Sequence, residues 1–309
     1  MAQAMTGPGP ADLRGDPRRR RKEAIIRYVF LATAAASVVV SALIVLSLFG
    51  KALNFLGLIE LGRLWAEGWF PRSQLFDVKT IVGGTLVVTC IAMLIATPLG
   101  LGAAIYLSEY ATPRARRLLK PVLEILAGIP SVVIGYFALI WLSPQIIQRL
   151  CTDANTFNMA AAGIGVGILV TPLVASITED SMRAVPLDLR EASYGLGARK
   201  RTTTTNIVIP AAISGILAAL IVGISRAIGE TMVVAIAAGA TGGSSFQLDP
   251  CQPGQTMTAA MTAVAIGSDQ VAQENVVDSL YFVGLLLFLM TLTLNIVSNR
   301  IVKRVRLRY

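Results

Sequence analysis

In the stretch "GISRAIGETMVVA", residues 223–235, an arginine and a glutamate stand four positions apart among small and apolar residues. Four positions is one helical turn, so Arg226 and Glu230 fall on one helix face, in line with Gly223 and Ala219. A planar guanidinium offers an oxyanion a bidentate set of donors, and a carboxylate beside it neutralises the charge while no anion is bound. The chemistry this pattern suits is transient capture of an anion. Arg226 supplies the positive site, and Glu230 positions the arginine and keeps the site from holding its ligand too tightly. The same two residues also suit a purely structural ion pair that locks two helices together.

Which reading applies depends on the solvent around the pair. The chain has 309 residues, of which 54% are hydrophobic and 15% charged. That is too apolar for an ordinary water-soluble domain. A helix crossing a bilayer needs about 20 mostly apolar residues, and six stretches reach that length: roughly 25–49, 81–107, 122–142, 159–178, 211–240 and 279–299. The chain therefore reads as an all-α integral membrane protein with six transmembrane helices, and Arg226 and Glu230 fall inside the fifth. Charges buried in a membrane are rare and usually face a bundle interior or a water-filled path.

The formal net charge of +9 raises the question of a nucleic-acid partner. The positions of the cations argue against one, because Lys and Arg gather beside the spans: Arg14 to Arg27, Arg114 to Lys120, Arg183 to Arg201 and Arg300 to Arg308. With the N-terminus inside, all four groups lie on the cytoplasmic side, as the positive-inside rule requires, and both termini are cytoplasmic. Trp65 and Trp69 then fall in the first outer loop and Trp141 at the outer end of the third span, where amphipathic rings favour the interface. The first span is too long for the apolar region of a cleaved signal. Residues 1–23 read as a disordered basic cytoplasmic tail, and 24–309 as the membrane domain, with a cytoplasmic loop at 179–210.

Pro98, Pro130 and Pro172 lie inside spans, where each frees a backbone acceptor that neighbouring helices or water must satisfy. Gly, Ala and Thr in "GTLVVTCIAMLIATPLGLGAA" and "AAGIGVGILVTP" allow close helix approach. Of the three cysteines, Cys90 is placed mid-membrane, while Cys151 and Cys251 belong to the second and third outer loops. On an oxidising face those two either form a disulfide or remain free thiols. The outer loop at 50–79 reads as partly amphipathic along the interface, and the Ala/Met/Thr-rich part of the loop at 241–278 as a short re-entrant or surface helix.

The loop "VPLDLREASYGLGARKRTTTTNIVIP", residues 185–210, is long for a connection between spans. Pro186 suits a first helical turn, Asp188 and Glu191 place negative charge near that N-terminus, and Gly195 and Gly197 supply a left-handed end. Glu191-Ala192-Ser193, Gly197 after three residues, and Ile207-Val208-Ile209-Pro210 after nine more resemble the "EAA" loop of ABC-importer permeases, with Ser193 and Ile209 as mild departures. The resemblance implies a type I permease architecture in which residues 186–200 form a coupling helix that docks on an ATPase. Glu191, Ala192, Ser193, Gly197, Ile207 and Pro210 are the coupling residues it marks.

Further runs widen the likeness: "LGLGAAIYLSEYA", "EILAGIPSVVIGYFAL", "SRAIGETM" and "SLYFVGLLLFLMTLTLNIVSNRIV". Together they resemble the permeases of the phosphate-specific (Pst) ABC importer, and Arg226 to Met232 resembles the PstC type more than the PstA type. That implies import of inorganic phosphate across a bacterial cytoplasmic membrane, with Arg226 and Glu230 on the substrate path. It also implies partners: a PstA-type permease, two PstB-type ATPases holding ATP and Mg, and an extracytoplasmic PstS-type phosphate-binding protein. Another oxyanion of the same architecture, or an ATP-independent transporter or channel, remains the alternative.

The residues themselves exclude other chemistry. No Gly-x-x-x-x-Gly-Lys-Ser/Thr phosphate loop occurs. There is no His, which removes His-based acid–base catalysis and His metal ligands. The expectation is a transport subunit, without catalytic residues, metal or cofactor of its own.

Overall fold

The computed structural model describes residues 17–65, 67–239, 243–266 and 274–305. The chain divides after Gly50 into two units. The first is the greater part of helix α1, Pro17–Leu58, whose Ile25, Phe30, Val38 and Leu46 are all exposed, as suits a helix with lipid for solvent. Its first seven residues, 17–23, fall within the stretch expected to be a disordered tail; Pro is tolerated in a first helical turn because its missing donor has no partner there anyway. The rest of that tail lies outside the described residues.

The second unit opens with the end of α1, which takes up part of the expected outer loop. A short turn follows at Leu61–Trp65, then a small antiparallel hairpin, β1 Trp69–Phe70 and β2 Leu75–Phe76, with Trp69 opposite Phe76. Asp77 caps α2, Val78–Ile105, and also accepts from Thr80 Oγ1 at 2.7 Å. A wide helical turn, Tyr106–Tyr110, prolongs α2. Then come α3 Pro113–Ala127, capped by Thr112, α4 Ser131–Phe137, a second wide stretch Ala138–Ile147 and α5 Gln148–Leu150. Asn158 caps α6, Met159–Arg183. Beyond it lie α7 Leu187–Gly195, α8 Lys200–Thr203, α9 Ile209–Ile228, α10 Met232–Ala237, α11 Met257–Ile266 and α12 Glu274–Val305.

Among the described residues six helical stretches are long and apolar enough to span a bilayer: 21–58, 78–110, 131–150, 159–183, 200–228 and 275–304. Two differ from expectation. The third starts at Ser131, because Gly128-Ile129-Pro130 breaks the helix; residues 113–127 form a separate amphipathic helix instead. Pro130 thus precedes a span, and Trp141, expected at that span's outer end, falls near its midpoint in sequence, stacked on Phe137 at 5.2 Å. The fifth ends at Ile228, before Gly229-Glu230-Thr231, and α10 resumes after that break.

α6 is the most enclosed span. It packs between α2 and α9 and shares a core with Val88, Ala92, Ala138, Ala227 and Val233. Small residues bring the backbones together: a Cβ on Gly167 would lie 2.9 Å from the Ala92 carbonyl oxygen, and one on Gly223 would lie 2.8 Å from Val174 Cγ2. Gly167→Leu must part α2 from α6. It is expected to destabilise the purified protein by at least about 1–3 kcal/mol, read as a lower thermal midpoint, whereas Gly102→Leu, with open space around it, leaves the midpoint unchanged. A second core joins Phe55, Trp69, Phe76, Met257 and Val283, in which the Phe55 and Phe76 rings meet edge to face at 5.1 Å.

Candidate functional site

Arg226 sits in the last turn of α9, where a cation complements the negative end of the helix dipole. Its Nη2 lies 3.4 Å from Glu230 Oε2, and the two side chains are 51% and 3% exposed. The pair is therefore formed as expected, but across a break in the span. Gly229 N–H returns to Ser225 O at 3.2 Å and Glu230 N–H to Ala227 O at 3.3 Å, closing the helix beneath the carboxylate. Such a break is tolerated within a membrane only where protein or water satisfies the freed backbone. Here α11 does so, since Thr258 Oγ1 donates to Glu230 O at 2.8 Å. Thr258, Thr231 and Gly229 also border a cavity of about 340 Å³. A buried carboxylate holding a half-exposed guanidinium leaves the cation's other donors free for an arriving anion.

The short helix expected in the third outer loop is α11, and its tie to the break was not legible in the composition of that loop. The part of the same loop that precedes α11 is held elsewhere. Cys251 forms a disulfide with Cys151, with Cα atoms 6.4 Å apart, so the open question about these thiols resolves as a bond. Ala160 N–H donates to Pro250 O at 2.8 Å and Met159 N–H to Gln252 O at 3.1 Å, which laces the loop over the start of α6.

The residues of the "EAA" pattern gather at the other end of α9, away from Arg226. Pro210 is in its first turn and Arg226 in its last, about 24 Å along the axis at the helical rise. α7 carries Glu191 and Ala192 exposed and Ser193 buried. Gly197 takes φ +80°, the left-handed geometry that ends the helix, as its position suggests. The hydroxyls of Ser193 and Thr203 lie 2.9 Å apart, joining α7 to α8. Ile207 belongs to the wide turn Thr204–Val208 that leads into α9. Leu196 stands out at 90% exposed beside exposed Leu187 and Tyr194, an apolar surface rare on an isolated loop.

Sequence reasoning gave the cations that fasten this loop to the spans only a topogenic role, and their acidic partners none. Arg190 of α7 pairs with Glu109 at the end of α2 at 3.2 Å and donates to Met182 O at 2.8 Å. Beside it, Glu179 of α6 is buried and accepts from Arg116 Nε at 2.9 Å and Lys120 Nζ at 2.8 Å, both on α3. Arg183 Nη1 lies 3.8 Å from it, and Asp180 accepts from Lys120 at 2.8 Å. The hydrogen bonds from Lys120 to Asp180 and then to Glu179 raise its pKa above the ordinary lysine value, so it stays charged at neutral pH. The available signal was an acidic residue at each span end, in "LSEY" and "ITED".

Comparison with known proteins bears on this arrangement. Residues 96–309 match the family described as binding-protein-dependent transport system inner membrane component. The chain is 30% identical over 89% of its length to the probable ABC transporter permease protein YqgH of Bacillus subtilis, covering 89% of that protein. It is 31% identical over 96% of its length to the phosphate transport system permease protein PstC of Xylella fastidiosa, covering 94% of it. Among solved structures, a chain of a bacterial alginate ABC transporter, in complex with an alginate-pentasaccharide-bound periplasmic protein, superposes with a TM-score of 0.64. That match is 14% identical and covers 92% of this chain and 97% of that one, a likeness of fold.

Proposed function

Because the chain belongs to the binding-protein-dependent transport system inner membrane component family, with PstC-type phosphate permeases among its relatives, we propose that it imports inorganic phosphate as one permease subunit of an ATP-driven transporter. The observation that carries the reading is the half-exposed Arg226 held by buried Glu230 at the break that ends the fifth span. The subunit works in a bacterial cytoplasmic membrane with both termini in the cytoplasm. It pairs with a PstA-type permease, two PstB-type ATPases that bind ATP and Mg, and a PstS-type binding protein outside.

ATP binding draws the ATPases together and moves α7. That motion reaches α2 and α6 through Arg190 and reaches α9 through the Ser193–Thr203 contact, a rigid-body coupling of packed elements. Phosphate delivered from outside then passes Arg226, and Glu230 competes for the guanidinium and limits how long the anion stays.

Uptake of radiolabelled phosphate into vesicles containing the whole assembly tests the substrate. Excess unlabelled phosphate is expected to block uptake and excess sulfate to leave it unchanged; equal competition by sulfate overturns phosphate as the substrate. The docking role of α7 is tested by Leu196→Asp. A charge on a side chain that is 90% exposed does not disturb the fold, but burying it in an interface costs at least about 2 kcal/mol. The ATPase is expected to co-purify roughly 30-fold less well, by that same arithmetic.

A further inference from the structure

At the end of the bundle that carries α7, a cavity of about 700 Å³ lies between α3, the end of α6 and α7, lined by Arg116, Arg117, Lys120, Arg183, Arg190 and Glu124 among others. Its cations are only partly satisfied from within. Glu179, Asp180 and Glu109 engage Arg116, Lys120, Arg183 and Arg190. Arg117 is exposed and forms no ion pair among the described residues, and Arg190 Nε is buried without a hydrogen-bond partner. An anionic acceptor in the cavity would meet the unpaired Arg117 and the Arg190 side chain that line it.

α3 supplies a second, independent observation. Its Leu118, Val122 and Ile125 form an exposed apolar stripe, with Leu119 and Leu126 flanking it, while Arg116, Lys120, Leu123 and Ala127 face the α6 side. A helix so divided lies in the boundary between lipid and water, apolar face down. The basic cavity therefore opens at the level of lipid head groups.

We propose that this cavity binds a phosphate group at the membrane boundary, through Arg117 and Arg190, and that the group is the head of an anionic phospholipid. Such a lipid sets its acyl chains beside the α3 stripe and its phosphate among the cations, where basic pockets between spans hold acidic head groups. Free phosphate is the other source of the same chemistry. The site lies apart from Arg226 and does not depend on which anion the protein transports.

The complete transporter is placed in nanodiscs of phosphatidylcholine with a rising share of phosphatidylglycerol, extracted, and its retained lipids are counted by native mass spectrometry. Wild type and Arg117→Lys are expected to retain phosphatidylglycerol over phosphatidylcholine. Arg117→Glu removes one cation and adds an anion, and should lose that preference by roughly fivefold or more, with Arg183→Gln as a second variant on the cavity wall. In parallel, binding of radiolabelled orthophosphate is measured in pure phosphatidylcholine discs, in an Arg226→Gln background that removes the translocation site. Orthophosphate binding that Arg117→Glu abolishes, without any lipid preference, supports the site and assigns it to free phosphate. Equal lipid retention and equal orthophosphate binding in wild type and Arg117→Glu overturn it.

Discussion

Arg226→Gln is expected to lower phosphate uptake by roughly 100-fold while the transporter still assembles and hydrolyses ATP. The size follows from losing charge-assisted hydrogen bonds, about 1.5–3 kcal/mol each, at a point where the anion has shed much of its water. Assembly should survive because the side chain is half exposed and its removal leaves no cavity in the core. Glu230→Gln separates the two roles. It frees the guanidinium, so phosphate should bind more tightly and leave more slowly, giving a lower KM and a lower maximal rate. Arg226→Lys keeps the charge but not the planar fork and should fall between. Uptake unchanged in both Arg226→Gln and Glu230→Gln would make the pair a structural lock, and the path would have to run elsewhere.

Glu179→Ala is expected to cost the permease about 3 kcal/mol of stability, read as a drop in the thermal midpoint of the purified protein. The carboxylate is 1% exposed and is shared by Arg116, Lys120 and Arg183. Without it three cations confront one another, although their partial exposure lets water recover some of the loss. Glu179→Gln keeps acceptor capacity and should cost about half as much. The pH dependence has a definite sign. The pKa of Lys120 is raised in the folded protein, so its contribution is complete below the ordinary lysine value, ~10.4, and fades only as pH climbs through the higher folded one. Scans between pH 6 and 9 should therefore show no change traceable to Lys120.

The spans were legible because bilayer thickness imposes a length that composition reveals, and the short helix after α6 because Pro186 and Gly197 stand where a helix begins and ends. Two boundaries were not. Residues 118–127 are apolar on one side only, with Arg114, Arg116, Arg117 and Lys120 nearby, and a running average merges them with the true span after Pro130. Apolar residues likewise continue past Gly229, whose helix-ending role emerges only once the Thr258 hydroxyl donates to the carbonyl of Glu230. The Arg–Glu pair was readable because its members are one turn apart. Glu179 was not, because Arg116 lies 63 positions away and only the packing of α3 on α6 unites them.

The bond between Cys151 and Cys251 spans 100 positions of chain, with α6 and α9 in between. Neither thiol can reach the other until both of those spans have been threaded into the bilayer and the loop after α10 has emerged. The bond is thus a timestamp of biogenesis: nascent chains halted before Cys251 stay reduced, and chains that insert α9 backwards strand the two sulfurs on opposite faces. A non-reducing gel of the newly made protein would sort correctly threaded molecules from failed ones before any partner subunit has joined.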